Sequence, residues 1–347
     1  MQSRTSKESK IKALVVFLVI TAGTFAIYRH MSQFPTPGQV GVLSTEDELY
    51  EQRLRAQRLS GSVEWMCNEI GRRSSRWSVR SHEFKEGLED SLIQNGFLLE
   101  DHKYEIGQAL FHNTVGVRKG SGAGTILIGT HHDSYGKSPC ANASATGVAT
   151  LMELAREFRD ESFDPTVIIA FFGTGEEPHA GRATMGAKIW LDAQKEAGRQ
   201  IDAAYIVGSF GCFRSSEEGQ NSAFPWYLSH PKSSDWLGVY GDFMGREVVT
   251  DTLAAWARVS DLPARGFAAP GWMLGVAKRD QIPFQKEGIP CVLLSDTGLN
   301  RDPSLRQEFD VAAGINYPEM ARRVEALGLM LKDIINSTNE TTLAKAR

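Results

Sequence analysis

Cysteine is scarce: four residues in a chain of 347. That is too few for the dense disulfide framework on which small secreted domains rely. Charge of one sign is lacking too. Thirty-eight Lys and Arg stand against 42 Asp and Glu, a net charge of −4, so no overall basic field points to nucleic acid. No internal repeat and no long low-complexity run interrupts the chain. Long apolar runs are missing with one exception, and a mean hydropathy of −0.27 excludes a polytopic membrane protein. What is there, 41% hydrophobic and 23% charged residues, is ordinary globular composition and excludes wholesale disorder. Length alone allows one large domain or two small ones.

The exception is Ala13 to Tyr28, 16 residues without a charge. With Ile11 and a snorkelling Lys12 the stretch reaches about 27 Å as a helix, just enough for a hydrocarbon core of about 30 Å. Arg4, Lys7, Lys10 and Lys12 precede it, and only Arg29 and His30 follow closely. The positive-inside rule therefore keeps residues 1–12 in the cytoplasm, makes 13–30 a transmembrane signal-anchor, and puts the rest outside, in periplasm, on a cell surface or in a lumen. Two other readings compete. A cleaved signal peptide shares the charged start, but the run is long for one and no small-x-small site follows it directly. A buried core helix usually carries a polar face, and this segment has two threonines only.

Residues 31–59 read as a stalk. Pro35, Pro37, Gly38 and Gly41 break regular structure, and the charged stretch 46–58 is expected to be helical. Strands and helices alternate over 60–337, and 338–347 form a tail. A helix is expected over 83–94, closed by Asn95-Gly96. Strands are expected near 113–117 and at 125–129, 166–172, 203–207 and 291–294. Further helices are expected at 146–159, 185–197 and 317–335. Uniformly apolar strands alternating with helices predict an α/β sheet covered on both faces. Functional groups then collect beyond the carboxyl ends of the strands, which singles out the loops after Gly129, Phe172, Val207 and Gly275.

The first of these loops holds His131-His132-Asp133. His and Asp two apart at a strand end point the same way, and such an Asp can fix the His tautomer that presents its other nitrogen to a metal. Taken alone the triplet reads equally well as an exposed polar loop. The second holds Glu176-Glu177. Adjacent carboxylates beyond a buried strand suit a general base and a metal ligand, although a lone pair of this kind is usually just solvated.

In this order and spacing the pieces resemble the M28 family of zinc aminopeptidases. The family pattern is G-[AT]-H-x-D, a loop with the bridging Asp before [ST]-G, an E-E pair, a carboxylate ending the next strand, and S-D-H-x-x-F before G-[IY]-P-A. Here these read Gly129-Thr-His131-His-Asp133, Cys140-Ala-Asn-Ala143-Ser-Ala-Thr146-Gly147, Glu176-Glu177, Gly208-Ser209-Phe210-Gly211, and Arg279-Asp280-Gln281-Ile-Pro-Phe284 before Gly288-Ile-Pro-Cys291. The resemblance spans roughly residues 60–335. It implies a mixed, largely parallel central sheet sandwiched by helices, built to hold two zinc ions.

It also implies five ligand positions, and the chain departs from most of them. His131 and Glu177 are retained. Ala143 stands at the bridging Asp, Gly208 (or, one residue on, Ser209) at the strand-end carboxylate, and Gln281 at the final His. Glu176 matches the general base and Asp133 the support of the first His. The two surviving ligands belong to different metals. A full ligand set for structural zinc is worth about 10–16 kcal/mol, far beyond one imidazole or one carboxylate. The expected cofactor is therefore none, or weakly held zinc, and without a metal no bound water reaches a pKa near 7. Substitute ligands to weigh are His179, Cys140, Cys212 and Asp280, whereas His132 should face away from His131. Carboxylates retained without a metal must be hydrogen-bonded or protonated, so a polar network tying strand ends is the plain alternative for His131, Asp133, Glu176 and Glu177.

The reading that follows is a membrane-anchored M28 peptidase-like protein, catalytically inactive, with a binding or scaffolding role. Its expected contacts are the membrane, through a single pass, and a protein or peptide partner through the 213–271 region. Phe224-Pro-Trp226-Tyr227, Trp236 and the adjoining Trp272 are candidate anchors there, with packing of a lid as the other use for them. The alternative is a metal-dependent aminopeptidase or related hydrolase with a non-standard, single-metal site. Asn142-Ala-Ser, Asn336-Ser-Thr and Asn339-Glu-Thr are formal glycosylation triplets.

Overall fold

A computed structural model describes residues 2–34, 45–73, 81–214, 233–274, 276, 278–296 and 302–337. Its centre is an eight-stranded sheet in the order β1-β2-β4-β3-β5-β8-β6-β7. The parallel heart consists of β3 (Thr125–His131), β4 (Thr166–Phe172), β5 (Ala203–Val207) and β8 (Cys291–Ser295). Beyond its first residue every position of β3 and β4 is buried, as their unbroken apolar runs require of strands covered on both faces. On one side β1 (Leu98–Ile106) and β2 (Ala109–Arg118) form a hairpin joined antiparallel to β4. On the other, β6 (Leu237–Gly241) is antiparallel to β8 and parallel to β7 (Ala264–Ala268).

Helices cover both faces. One apolar cluster joins the sheet to α2 (Glu46–Glu64), α3 (Ser81–Gln94), α4 (Thr146–Glu157), α6 (Arg246–Val259) and α9 (Tyr317–Ser337), with Leu88, Leu154, Trp256 and Met330 fully or almost fully buried. The other lies under α5 (Gly186–Glu196) and α8 (Gln281–Lys286) and includes Phe172, Trp190 and Phe284. A single-turn α7 (Gly271–Leu274) follows β7.

The expected stalk needs correcting. The helix over its second half starts at a capping box between Thr45 and Glu48 and docks on the domain. Leu59, Val63, Met66 and Ile70 form a buried stripe at helical spacing, continued through a π-helical turn at Trp65–Ile70. Arg55 bridges Glu157 at 3.1 Å and Glu325 at 3.4 Å, and Arg58 pairs with Glu153. Residues 46–59 therefore belong to the domain, while 35–44 lie outside the described residues.

At the amino end α1 (Gln2–Ser32) contains a segment, Leu14–Ser32, that is long and apolar enough to cross a membrane. Only 6% of that segment is buried, so it is not a core helix of the domain. Its last turn is docked, however: Met31 is buried in the second cluster, and Phe34 packs against the first. The chain thus wraps the edge strand β7, which shields an otherwise open row of backbone groups.

Candidate functional site

Parallel strands bring their carboxyl ends, and the loops beyond them, to one end of the sheet. His131 is the last residue of β3, opposite Phe172 of β4. The loop after Phe172 folds over it. Asp133 fastens that loop, accepting the Gly175 amide at 2.8 Å and the Glu176 amide at 3.0 Å. Gly175 is required there: a Cβ would lie 2.4 Å from His131 Cβ. Glu176, 1% exposed, is thereby turned inward.

Four charged side chains meet around His131. Its Nδ1 lies 2.9 Å from Asp280 Oδ2, and its Nε2 lies 3.5 Å from Glu176 Oε1. The other face of the Glu176 carboxylate is taken by Arg306, whose Nε donates to Oε1 at 2.9 Å while a terminal nitrogen sits 2.7 Å from Oε2. Arg279 lies 3.8 Å from Oε1. Two carboxylates, an imidazole and two guanidiniums thus form a compact ionic cluster in which every charge faces an opposite one.

The protonation states follow from this arrangement. Burial works against a charged imidazole, yet Asp280 and Glu176 together hold the proton and raise His131 to about 10. Burial likewise works against a charged Glu176, but His131, Arg306 and Arg279 outweigh it and hold the acid at about 2. Burial lowers Arg279 to about 10, leaving it a cation at neutral pH. Burial lifts Asp133 to about 6 against the pull of His131.

The loops that build the cluster carry backbone strain. Cys140, Thr174 and Arg306 have φ of 51°, 51° and 65°, a left-handed conformation that costs a non-glycine residue about 1–3 kcal/mol. Asp310 holds two of these loops together. It accepts the amides of Asn142 at 2.7 Å, Ala143 at 3.2 Å and Arg306 at 3.2 Å. Burial raises it to about 6.

The structure places the expected site residues as follows. His131 and Glu176 come together with Asp280, one of the substitutes considered. Asp133, expected to support His131, instead anchors the Glu176 loop, and Asp280 makes the bond to His131 Nδ1. Glu177 leaves the cluster: its carboxylate is at the surface, paired with Lys278, ahead of a cis bond to Pro178. Gln281 is fully buried, its Nε2 donating to Val276 O at 3.0 Å, and its Oε1 has no hydrogen-bond partner among the described residues. Gly208 borders a small cavity of about 10 Å³ beside His131, Ser209, Arg279, Asp280 and Ser295, room for about one water. A larger groove of about 480 Å³, crossed by the Arg58–Glu153 pair, lies away from the cluster between α2, α3 and α4.

The remaining candidates lie elsewhere. His132 faces away from His131, against Phe84 and His112 at 5.4 and 5.7 Å between ring centres, and burial lowers it to about 3. His179 bonds Thr184. Cys140 accepts the Tyr135 amide at 3.2 Å, and burial pushes its thiol to about 11. All four cysteines are buried and free. Trp236 is buried, and Trp272 is 75% exposed. Phe224, Pro225, Trp226 and Tyr227 lie outside the described residues. Asn142 is 1% exposed with its amide bonded to Asp302 and the Gly211 amide, so this triplet is closed to glycosylation in the folded chain.

Sequence reasoning missed Arg306, Arg279, Asp310 and Arg73. Arg73 is a buried brace that donates to His132 O, Met66 O and Ser144 Oγ. Arg279 had a signal, since it adjoins the Asp280-Gln281 motif. Arg306 had none, because nothing in its neighbourhood marks a partner 130 residues away.

These residues do not fit the two-zinc centre that the resemblance implies. Ala143 and Gly208 offer no donor, Glu177 is turned out to Lys278, and Arg306 faces Glu176 at the heart of the cluster. Among the described residues no group of three or more His, Cys, Asp or Glu is arranged to hold a metal ion. The positive charge beside Glu176 is supplied by arginine.

Comparison with known proteins bears on the scaffold. A sequence profile of peptidase family M28 matches residues 113–218. The chain is similar to the uncharacterized protein YfbL of Escherichia coli (strain K12), with 22% identity over 283 residues, 79% of this chain and 87% of the relative. Among solved structures it is similar to BSAP, a zinc aminopeptidase from Bacillus subtilis, with a TM-score of 0.66, 11% identity and coverage of 82% and 96%. It is also similar to the Legionella pneumophila LapA aminopeptidase, with a TM-score of 0.63, 14% identity and coverage of 86% and 77%. A third is the Porphyromonas gingivalis glutaminyl cyclase, with a TM-score of 0.60, 17% identity and coverage of 80% and 98%. The structural likeness over most of the chain and the family profile matched across β2 to β5 identify the chain as one with the M28 zinc peptidase-like fold.

Proposed function

We propose that this chain is a membrane-anchored M28 peptidase-like protein that has given up two-zinc hydrolysis and works by binding a protein or peptide partner. The observation that carries this reading is the ion pair between Arg306 and Glu176. A general base must offer its carboxylate to a water. Here both oxygens face the Arg306 guanidinium, Oε1 also faces His131, and the neighbouring cavity of about 10 Å³ is far below the roughly 300–1,000 Å³ of small-molecule sites. A carboxylate held at about 2 is also a weak base at neutral pH. The retained His131, Asp133 and Glu176 then serve as a polar brace between the β3 and β4 ends.

The anchor is assigned to residues 13–30, within the long apolar stretch of α1, with the amino terminus cytoplasmic and the domain outside. The partner surface is assigned to the 213–271 region, of which 215–232 lie outside the described residues. The hydrolase alternative draws support from the meeting of His131, Asp280 and Glu176, three groups of ligand type. Against it, arginines neutralise Glu176. Equilibrating the purified full-length chain with zinc and measuring bound metal, alongside hydrolysis of aminoacyl substrates, tests the proposal. It expects neither tight metal nor turnover, and zinc-dependent turnover abolished by Glu176→Gln would overturn it.

A further inference from the structure

The end of the apolar helix is built into the domain, and this fixes where a bilayer would meet it. Arg246, the first residue of α6, donates to Gln33 O at 2.6 Å and to His30 O, and its guanidinium lies 4.3 Å from the centre of the Phe34 ring. Phe34 Cγ is 3.0 Å from where a Gly266 Cβ would stand, in the middle of β7. One turn earlier, the His30 ring lies 5.1 Å from the ring of Phe243, in the loop after β6. Followed from Phe34 back to His30, the helix therefore climbs from mid-strand toward the carboxyl ends of β6 and β7. The exposed apolar stretch leaves the domain at that end.

At that end the loop between β6 and α6 carries two adjacent apolar residues at its tip. Met244 is 84% exposed and Phe243 39%. The tip is pinned rather than loose, since Asp242 accepts the Gly245 amide. Arg29 and His30 mark the polar boundary of the apolar run, and the interfacial layer on each side of a bilayer is about 5–7 Å deep. The Phe243 ring is within that distance of His30. Aromatic and long apolar side chains are favoured at this depth, whereas an exposed Phe-Met tip facing water gains nothing.

We propose that Phe243 and Met244 form a second membrane contact, seated in the headgroup boundary beside the emerging helix, and that they set the orientation of the domain on the bilayer. Arg29, the helix neighbour of His30, donates to Gln33 Oε1 at 2.7 Å. The proposal rests on the reading of residues 13–30 as a span. Its probe is the full-length chain in phosphatidylcholine–phosphatidylglycerol vesicles, nitroxide-labelled one site at a time at Met244→Cys, at Leu18→Cys in the span and at Leu110→Cys. Leu110 is an exposed residue of the β1–β2 hairpin at the far edge of the sheet. The four native cysteines are buried and stay unlabelled in the folded chain, and an exposed loop position tolerates the label. The ratio of collisions with lipid-soluble oxygen to those with a water-soluble nickel chelate should be highest at Leu18. It should be several-fold higher at Met244 than at Leu110. A Met244 ratio equal to that of Leu110, with Leu18 deep in lipid, overturns the contact and leaves the anchor standing. A Leu18 site as wet as Leu110 overturns both. A Met244 label shielded from both quenchers means that protein covers the tip, and overturns the lipid contact.

Discussion

Replacing Arg306 with methionine keeps the aliphatic stem and removes the cation facing Glu176. The Glu176 carboxylate is 1% exposed and the Arg306 side chain about a quarter exposed, 2.7 Å apart at closest approach. At an effective dielectric of about 20, unit charges at that distance attract by about 6 kcal/mol, and removing one partner of a buried pair costs about 3–5 kcal/mol because the other charge stays buried. Arg306→Met should therefore cost about 3 kcal/mol. His131 at 3.5 Å and Arg279 at 3.8 Å still face the carboxylate, which keeps the loss toward the lower end of that for a broken buried pair. Both side chains meet the same left-handed backbone at φ 65°, so strain cancels in the comparison. The assay is urea unfolding of the full chain in detergent micelles, followed by tryptophan fluorescence, for wild type, Arg306→Met, Glu176→Gln and the double variant. A coupling energy of about 2–3 kcal/mol is expected from the cycle. A loss under about 0.5 kcal/mol, the scale of an exposed pair, would refute the view that Arg306 is the counter-ion of the buried cluster.

Three further outcomes are expected. Ala143→Asp, Gly208→Asp and Gln281→His made together should raise zinc affinity only weakly while Arg306 holds Glu176, and markedly once Arg306→Ala is added; equal affinity with and without Arg306 in competitive chelator titration would contradict this. Gly175→Ala drives a methyl to 2.4 Å from His131 Cβ and should lower stability by about 1–3 kcal/mol, seen as a fall in melting temperature. Burial raises Glu157 from 4.5 to about 7 despite Arg55, so this group's contribution is fully present below about pH 4.5 and lost as pH rises through about 7. Relative to Glu157→Gln, wild type should lose about 3 kcal/mol across that window, and a pH-independent difference in urea midpoints would rule out the assignment.

The parallel heart of the fold was legible because its strands are unbroken apolar runs: 166–172 and 203–207 were placed to the residue. β1 was not, since its sequence LLEDHKYEI is largely polar, as befits an edge strand with one buried residue, Tyr104. β6 and β7 escaped because each is five residues long and carries glycine. The docking of the helix over 46–58 was hidden by its charges. These are the partners of Glu153, Glu157 and Glu325 on α4 and α9 and nearby positions rather than a solvated face. At the site, motif spacing led to His131, Glu176 and the Asp280 neighbourhood. Periodicity and motifs carry no record of which distant cation faces a buried carboxylate. Arg306 is fixed by tertiary contacts with Asp310 and Glu176.

The most direct test of the central claim is the zinc content of the purified full-length chain after equilibration with micromolar zinc and passage over a weak chelator. An arginine-neutralised cluster predicts metal near the background of a Glu176→Gln, His131→Ala control. One or two zinc ions retained per chain, and lost in that control, would contradict the account.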